Sequence, residues 1–449
     1  MLKKNDIFPV KITGYTAEGL GVCRVDGQVV FVHGALDGEE LDVRILKVGK
    51  NEAYGKIENL KIASPHRISP DCPYDKFCGG CALRHMTYEE ELRLKSRRVR
   101  DALTRIGGID PGEVPILGAE TTEHYRNKAI FPVANVDGHP NAGFYRARTH
   151  DLIPVETCRI QSPHADAARA AVVAWMEKHH VSAYDEATLQ GLVRHIFVRS
   201  AFGTDETMVC IIINGKKLPK EGELVACLQT AVPNLKTVVL CENTRPGNAI
   251  LGQYFRTLWG DGTIDDTLCG LTFRLSPRSF YQVNRDQAQR LYDLAISQAE
   301  LTRDDTVLDL YCGTGTITLC MARACGKAIG VEIIEAAIED AKENAKRNHI
   351  ENAEFFCGDA GLAAQKLAED GIRPDVVVVD PPRKGLSTDV VEAIDKMSPR
   401  RVVYVSCDPA TLARDVKRFS EVGYALRSAH AADLFPRCAH VESVVVLTR

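Results

Sequence analysis

The hydrophobic pattern at the start of the chain is that of short strands. Four stretches alternate apolar and polar residues, and turn signals such as Asp26-Gly27 and Asp37-Gly38 separate them. The stretches are FPVKITGY, GVCRVDGQVVFV, EELDVRILKV and AYGKIENL. Short strands at this spacing predict a small, OB-like β-barrel over residues 1–60.

The pattern becomes irregular in the middle of the chain. A stretch rich in Pro, Gly and Cys, SPHRISPDCPYDKFCGGC, is followed by EEELRLKSRRVRDALTRIGG, which predicts a helix within residues 84–110. Residues 111–270 mix strand-like segments with one apolar helix, ADAARAAVVAWMEKHH. We predict a central α+β domain over residues 61–270.

From residue 271 onward, apolar strands alternate with helical segments. The strands are TVLDL, AIGVE, AEFFC, DVVVVD and RVVYVSC, and IIEAAIEDAKENAKRNH is one of the segments between them. This alternation predicts a parallel, doubly wound α/β sheet over residues 271–449. Because ligands bind at the carboxyl ends of such strands, we expect the chemistry just after each strand.

Composition and charge narrow the class of protein. The chain has 449 residues, of which 45% are hydrophobic and 26% charged, and its formal net charge is -4. These values indicate a globular protein of two or three domains and exclude a globally basic nucleic-acid binder. No apolar run approaches the roughly 18 residues of a membrane helix, and MLKKNDIFPVKITG lacks the apolar core of a signal peptide. We expect a cytoplasmic monomer whose fifteen cysteines are reduced.

Polar groups follow consecutive strands of the predicted α/β domain. In VLDLYCGTGTITLCMA, Gly313 and Gly315 lie between a strand and a helix, where small residues let a ligand approach the backbone. Glu332 ends the next strand, where a carboxylate can accept both hydroxyls of a ribose. Asp359 and Asp380 follow the next two strands. This part of the chain resembles the class I, Rossmann-like methyltransferases that use S-adenosyl-L-methionine.

A cysteine follows the fifth strand. RVVYVSCDPATLARD places Cys407 immediately before a helix that Asp408 can cap and Pro409 can open. A thiol at a helix N-terminus is expected to have a lowered pKa and therefore to be a better nucleophile. The alternative is a buried cysteine at the end of a strand, with no chemical role.

Three separated motifs favour the chemical role. SPRSFYQVN at 276–284, SCDPATLARD, and HVESVVVLTR at the carboxyl terminus resemble the signature of the RNA uracil-5-methyltransferase family. The resemblance implies that Cys407 attacks C6 of a target uracil, so that C5 can accept a methyl group. It also implies that Glu442 removes the C5 proton and that Phe280 lies near the target base. The resemblance assigns to the cofactor pocket Gln282, Tyr311, Gly313, Gly315, Thr316, Glu332, Asp359 and Asp380, of which Asp380 also lies near the uracil.

The chain departs from the family at two places. Asp408 stands where Asn is common, and Arg437-Cys438 stands ahead of His440 where the family often has Gln-Thr or His-Thr. We expect these departures to affect the choice of target more than the chemistry.

A cysteine motif precedes the predicted basic helix. Cys72, Cys78 and Cys81 form a C-x5-C-x2-C pattern, and Cys158 in VETCRIQS matches the distant fourth ligand of the iron–sulfur members of the family. The resemblance therefore implies a [4Fe-4S] cluster. A structural zinc that uses the three thiols with either Cys158 or His85, and a loop without metal, remain alternatives.

The sequence also suggests where RNA binds. The first sixty residues, with YTAEGLGVCRVDGQVVFVHGALDGE, resemble a TRAM domain, a barrel associated with RNA binding, although its basic and acidic residues nearly balance. The five basic residues between Lys95 and Arg105 are either a solvated helix face or an RNA-binding surface. In the family, this helical segment packs on the methyltransferase domain.

Together these features predict a three-domain enzyme that makes 5-methyluridine in RNA. A TRAM domain with a cluster resembles the bacterial ribosomal-RNA branch more than the transfer-RNA branch, so 23S rRNA is the preferred substrate. Transfer RNA, or several uridines, is the alternative target. A non-catalytic RNA-binding assembly factor is the alternative from another class, and loss of Cys407 or Glu442 would have favoured it.

Overall fold

The computed structural model describes residues 2–449, which begin with a curled five-stranded sheet. Its strands are β1 (Ile7–Lys11), β2 (Gly21–Val25), β3 (Gln28–His33), β4 (Glu40–Val48) and β5 (Glu52–Ile62). They are ordered β1-β4-β5-β3-β2. Val43 and Ile45 alternate with polar residues along β4 and are buried inside the curl. The amide of Thr13 donates to the carbonyl of Val22 at 2.8 Å, which brings the end of β1 onto β2.

A helix and a short strand follow the curled sheet. They are α1 (Tyr88–Arg105) and β6 (Ile116–Leu117). The hydroxyl of Thr87 accepts a hydrogen bond from the amide of Glu90 at 3.4 Å and so caps the start of α1.

The middle of the chain forms a mixed seven-stranded sheet in the order β13-β12-β11-β10-β7-β8-β9. Its elements are β7 (Lys128–Val136), β8 (His139–Tyr145), β9 (Leu152–Pro154), α2 (Pro163–Lys178), β10 (Val193–Ala201), β11 (Glu206–Ile213), α3 (Glu221–Ala231), β12 (Leu235–Glu242) and β13 (Tyr254–Trp259). Ile196 and Val198 of β10 share a core with the two helices. Phe197, on the opposite face, packs against the last part of the chain.

The last part of the chain is an α/β unit with an eight-stranded sheet, ordered β18-β17-β16-β19-β20-β22-β21-β6. The hairpin before it and its own elements are β14 (Ile264–Leu268), β15 (Leu271–Leu275), α4 (Arg285–Ala299), β16 (Thr306–Leu310), α5 (Thr316–Ala322), β17 (Lys327–Glu332), α6 (Glu335–Arg347), β18 (Ala353–Cys357), α7 (Ala360–Glu369), β19 (Val376–Val379), α8 (Thr388–Met397), β20 (Arg401–Ser406), α9 (Pro409–Glu421), β21 (Ala425–Ala432) and β22 (Glu442–Thr448). Strands β16 to β20 are parallel and β22 is antiparallel to both of its neighbours. Val377 and Val378 of β19 lie in different cores, so the sheet is covered on both faces.

Helix α1 and strand β6 pack on this α/β unit. Strand β6 pairs with β21 at the edge of the sheet. Val99 and Leu103 of α1 share a core with Leu412 and Val416 of α9. A segment that precedes the middle sheet in sequence is therefore part of the α/β unit in space. No helix within residues 2–449 has the length and apolar character needed to span a bilayer.

Candidate active site

Cys407 and Glu442 face each other at the carboxyl edge of the eight-stranded sheet. Ser406, the last residue of β20, pairs with Ser443 of β22 in an antiparallel register. One step further along this register, Cys407 lies opposite Glu442. Cys407 is half-buried and Glu442 is 4% exposed. The strand register therefore places a thiol and a buried carboxyl group side by side.

The carboxyl groups beside Cys407 have raised pKa values. Burial raises the pKa of Asp380, which follows β19, to about 7. Burial and the charge of Asp380 raise the pKa of Glu442 to about 8, and the Arg383 guanidinium opposes that rise. Both groups therefore exchange protons near neutral pH, as general acids and bases must.

The pKa of Cys407 is raised to about 11, so the prediction of a lowered thiol pKa was wrong. Burial is the main cause, and the charges of Glu442 and Asp380 add to it. The N-terminus of α9 does not offset this rise, because its free amides are capped by Asp408. The Asp408 carboxylate accepts the amides of Ala410 and Thr411 at 2.9 and 3.1 Å. The thiol therefore needs a proton acceptor before it can act as a nucleophile.

The glycine loop after β16 leaves one side of its backbone open. Gly313 and Gly315 have φ values of 55° and 81°. A Cβ atom on Gly315 would lie 3.0 Å from the Ala341 side chain, whereas one on Gly313 would meet nothing within 4 Å. Gly315 therefore lets the loop pack on α6, and Gly313 leaves space for a ligand. Thr316 is the first residue of α5.

Glu332 is fixed at the end of β17. Its Oε2 accepts the amide of Gly313 at 3.2 Å, and its Oε1 accepts the amide of Ile334 at 3.0 Å. Each carboxylate oxygen has a second lone pair, so the group can still accept two hydroxyl groups.

Tyr311 and Asp359 lie near each other. Burial and the charge of Asp359 raise the pKa of Tyr311 to about 12. The Asp359 carboxylate also caps α7, because it accepts the amides of Gly361 and Leu362 at 3.0 and 3.3 Å. The structure thus gives Asp359 a local structural contact beyond its predicted place in the cofactor pocket.

Tyr292 of α4 lies near both Gln282 and Asp380. Burial and the charge of Asp380 raise the pKa of its phenol well above the usual value, and the Gln282 side chain opposes that rise. Phe280, two residues earlier, is 65% exposed. The segment 276–284 therefore brings an exposed aromatic ring and an amide to the same edge of the sheet.

Arg199 of β10 and Asn127, the residue before β7, hold this segment, and neither was predicted from the sequence. Buried Arg199 donates to the carbonyls of Ser276 and Ser279 at 3.3 and 2.8 Å. Asn127 donates from Nδ2 to the carbonyl of Gln282 at 2.9 Å. Neither residue lies in a recognisable motif, so only the three-dimensional fold reveals the contacts. Arg383 was also missed, although it directly follows the Asp380-Pro381-Pro382 sequence.

The four predicted metal ligands line one cavity of about 230 Å³. Arg84 and Arg126 also line it, whereas His85 does not. Hydrogen bonding to the Cys438 thiol and the nearby Arg84 lower the pKa of Cys81 to about 7, against the effect of burial. Residues 2–449 contain no group of three or more His, Cys, Asp or Glu side chains arranged around one ion position. The four cysteines are Cys72, Cys78, Cys81 and Cys158.

Much of the basic run on α1 makes contacts within the protein. Lys95 is wholly buried in ion pairs, and Arg98 donates to the carbonyl of Ala439 at 2.7 Å. Arg105 pairs with Asp101 at 3.4 Å. Lys95 and Arg98 therefore have structural roles, whereas Arg97, Arg100 and Arg105 keep exposed side chains.

The comparisons with known proteins cover almost the whole chain. The family model for tRNA (Uracil-5-)-methyltransferases matches residues 87–449, and the TRAM domain model matches residues 2–57. Uncharacterized RNA methyltransferases of Clostridium tetani and Lactiplantibacillus plantarum are each 42% identical to this chain over 447 residues. The alignments cover 100% and 99% of this chain and 97% and 98% of the two relatives.

A solved structure has the same overall arrangement. The tRNA (uracil-54, C5)-methyltransferase of Pyrococcus abyssi, solved with S-adenosyl-L-homocysteine, superposes with a TM-score of 0.78 at 25% identity. The match covers 98% of this chain and 100% of that chain. The chain therefore belongs to the RNA uracil-5-methyltransferase family, as a TRAM-containing RNA (uracil-5-)-methyltransferase that depends on S-adenosyl-L-methionine.

Proposed function

We propose that the protein methylates C5 of a uridine in RNA through a covalent bond between Cys407 and C6 of the base. The observation that carries the proposal is the pairing of Cys407 with Glu442 across β20 and β22, with Asp380 close enough to raise both pKa values. A nucleophile and a base are the two groups that this reaction requires.

The reaction begins with loss of the Cys407 proton to the neighbouring Asp380 carboxylate, so that Glu442 stays ionised for the later step. The sulfur then forms a bond to C6, and the electrons of the C5–C6 double bond move so that C5 becomes nucleophilic. S-adenosyl-L-methionine supplies the methyl group that C5 accepts. The Glu442 carboxylate removes the C5 proton, the C5–C6 double bond forms again, and the Cys407 sulfur leaves.

We propose that the cofactor lies over the glycine loop. Gly313 leaves an open approach, and both oxygens of Glu332 retain lone pairs for the ribose hydroxyls. Gln282 and Asp380 both lie near Tyr292, which supports a place for these groups together beside the methionine end. The pocket residues in this proposal are Gln282, Tyr311, Gly313, Gly315, Thr316, Glu332, Asp359 and Asp380, with Phe280 and Asp380 next to the target base.

The proposed RNA substrate rests on the four cysteines of the cavity more than on the TRAM domain. The Pyrococcus tRNA enzyme matches 98% of this chain, so the TRAM domain alone does not separate ribosomal from transfer RNA substrates. We propose a 23S ribosomal RNA uridine, on the resemblance of the four cysteines to the iron–sulfur ribosomal-RNA branch. Transfer RNA is the second candidate because that Pyrococcus enzyme acts on it.

Transfer of labelled methyl from S-adenosyl-L-methionine to RNA tests the reaction and its target together. Ribosomal and transfer RNA from cells that lack this gene are supplied separately, and the nucleosides are analysed by mass spectrometry. We expect label in 5-methyluridine from ribosomal RNA. Label in transfer RNA alone would overturn the target, and label in neither RNA would favour a non-catalytic role.

We also propose that the cysteine cavity holds a [4Fe-4S] cluster. A zinc ion needs all its ligands about 2 Å from one point, whereas a cluster binds each thiolate at a different iron. The four thiols line a common cavity, so the donor set matches the four thiolates of a cluster.

Protein purified without oxygen is expected to contain iron and sulfide near the ratio of one [4Fe-4S] cluster per chain. Cys158→Ser is expected to lower both, because it removes one of the four thiolates that line the cavity. Metal analysis and visible absorption measure the content. Cys227→Ser, on α3 away from the cavity, is the control. Zinc without iron in the native protein would contradict the assignment.

The pH dependence of turnover is expected to respond to Arg383. The base must be ionised to accept the C5 proton, so turnover should rise as pH increases through the pKa of Glu442, about 8. Arg383 lowers that pKa, so Arg383→Gln should move the rise to higher pH. Lys384→Gln, an adjacent exposed cation, is the control. A profile unchanged by Arg383→Gln, or moved to lower pH, would contradict the assignment of Glu442.

A further inference from the structure

A buried triad of charges anchors the loop that leads to Glu442. This loop, residues 433–441, is called the base loop here and connects β21 to β22. Lys95 Nζ on α1 lies 2.7 Å from Glu91 Oε1 and 2.6 Å from Asp433 Oδ1. All three side chains are wholly buried. Because buried charges are costly to desolvate, such a group must be held in one well-defined arrangement.

Each member of the triad also holds the backbone of the base loop. Lys95 Nζ donates to the carbonyl of Phe435 at 3.2 Å. Glu91 Oε1 accepts the amide of Arg437 at 2.7 Å, and Asp433 Oδ1 accepts the amide of Phe435 at 3.1 Å. The triad therefore fixes the path of the loop. The Arg437 guanidinium, 3.6 Å from Glu91 Oε2, supplies the second positive charge beside its two carboxylates.

Further contacts hold the loop on the side of the cysteine cavity. Arg437 has a φ of 69°, and its carbonyl accepts the amides of Ala82 and Leu83 at 2.9 and 3.0 Å. The Cys438 thiol donates to the carbonyl of Gly80 at 3.2 Å. The Arg437 side chain adds its own contact, because its guanidinium donates to the carbonyl of Met86 at 3.3 Å. Lys95 lies at the centre of this network, because it joins α1 to both ends of the Asp433–Phe435 segment.

We propose that Lys95 is a positioning residue for the general base. Lys95 touches neither Glu442 nor Cys407. It acts by fixing the base loop, and Glu442 directly follows that loop. Asp433 directly follows Ala432, which pairs with Glu442 in the register of β21 and β22, so the triad adjoins the backbone that holds Glu442. The inference rests on the proposed role of Glu442. Loss of Lys95 should slow proton removal from C5 more than it slows the attack of Cys407, which is attached to a different strand.

The test compares Lys95→Met with the double variant Lys95→Met/Asp433→Asn. The double variant removes a carboxylate that the single change leaves buried without its cation, and it keeps the proposal testable if the single variant does not fold. Arg401→Met is the control, because Arg401 is also a buried cation, 7% exposed, and pairs with Glu300 at the other end of β20. Reactions with labelled S-adenosyl-L-methionine are stopped in denaturant, and methylated protein–RNA adduct and free methylated RNA are measured over time.

In both Lys95 variants, release of methylated RNA is expected to slow roughly tenfold to hundredfold, the loss that an ångström-scale misplacement of a catalytic group causes. Adduct formation should stay near the wild-type rate, so methylated adduct accumulates. Arg401→Met should lower the melting temperature without accumulation of adduct. Equal slowing of formation and release in the Lys95 variants, or no accumulation, would overturn the inference while an active wild type preserves the proposed function. An inactive wild type would overturn both.

Discussion

Cys407→Ala is expected to lower methyl transfer by more than about 10⁴-fold, since it removes the sulfur atom that activates the uracil ring. C5 of uracil is a poor nucleophile until a group adds to C6, and no other cysteine lies opposite Glu442 in the register of β20 and β22. Binding of S-adenosyl-L-methionine should be unchanged, because the glycine loop and Glu332 are intact. Radiolabel transfer to RNA and calorimetric binding of the cofactor measure the two effects separately.

Cys227→Ala provides the control for Cys407→Ala. Cys227 is also only partly exposed, but it lies on α3 against the middle sheet. Its substitution should leave methyl transfer at the wild-type rate. Substantial transfer by Cys407→Ala would contradict the covalent mechanism.

Glu442→Gln is expected to accumulate a methylated covalent complex with RNA while turnover falls by about 10²- to 10⁴-fold. The amide retains the size of the side chain but cannot take the C5 proton, so elimination of the Cys407 sulfur fails after the methyl group has been accepted. Denaturing gels that follow labelled methyl on protein-bound RNA measure the complex.

The matched control for Glu442→Gln is Glu421→Gln, at the exposed end of α9. It should neither trap RNA nor slow turnover. Loss of methyl transfer in Glu442→Gln with no methylated complex would show that Glu442 acts earlier than proton removal.

The strands of the α/β unit were predictable because each one is marked by a run of residues within a short stretch of sequence. Strands β16 to β20 are short apolar runs, and the rule that ligands bind after parallel strands pointed to Glu332, Asp359 and Asp380. Cys407 and Glu442 came from family motifs, and the register of the sheet then supplied the physical reason for their pairing.

The remaining features depend on contacts between distant parts of the chain. Lys95 looked like one member of a basic helix face, yet Asp433, more than 300 residues away, makes it a buried anchor. The direction of the Cys407 pKa shift was predicted wrongly. The prediction used only the position of Cys407 before a helix, which is visible in the sequence, whereas burial and the charge of Glu442 arise from the fold. Arg199, in the middle sheet, carries no sequence signal for its contact with the 276–284 segment.

The covalent role of Cys407 is tested most directly by trapping the enzyme on RNA that contains 5-fluorouridine. Fluorine at C5 cannot be removed as a proton, so the covalent complex cannot eliminate after the methyl group is accepted. Peptide mass spectrometry of the trapped complex should place the nucleotide and one methyl group on the peptide that contains Cys407. A nucleotide on another cysteine, or methylation of normal RNA with no covalent complex on the fluorinated RNA, would contradict the account.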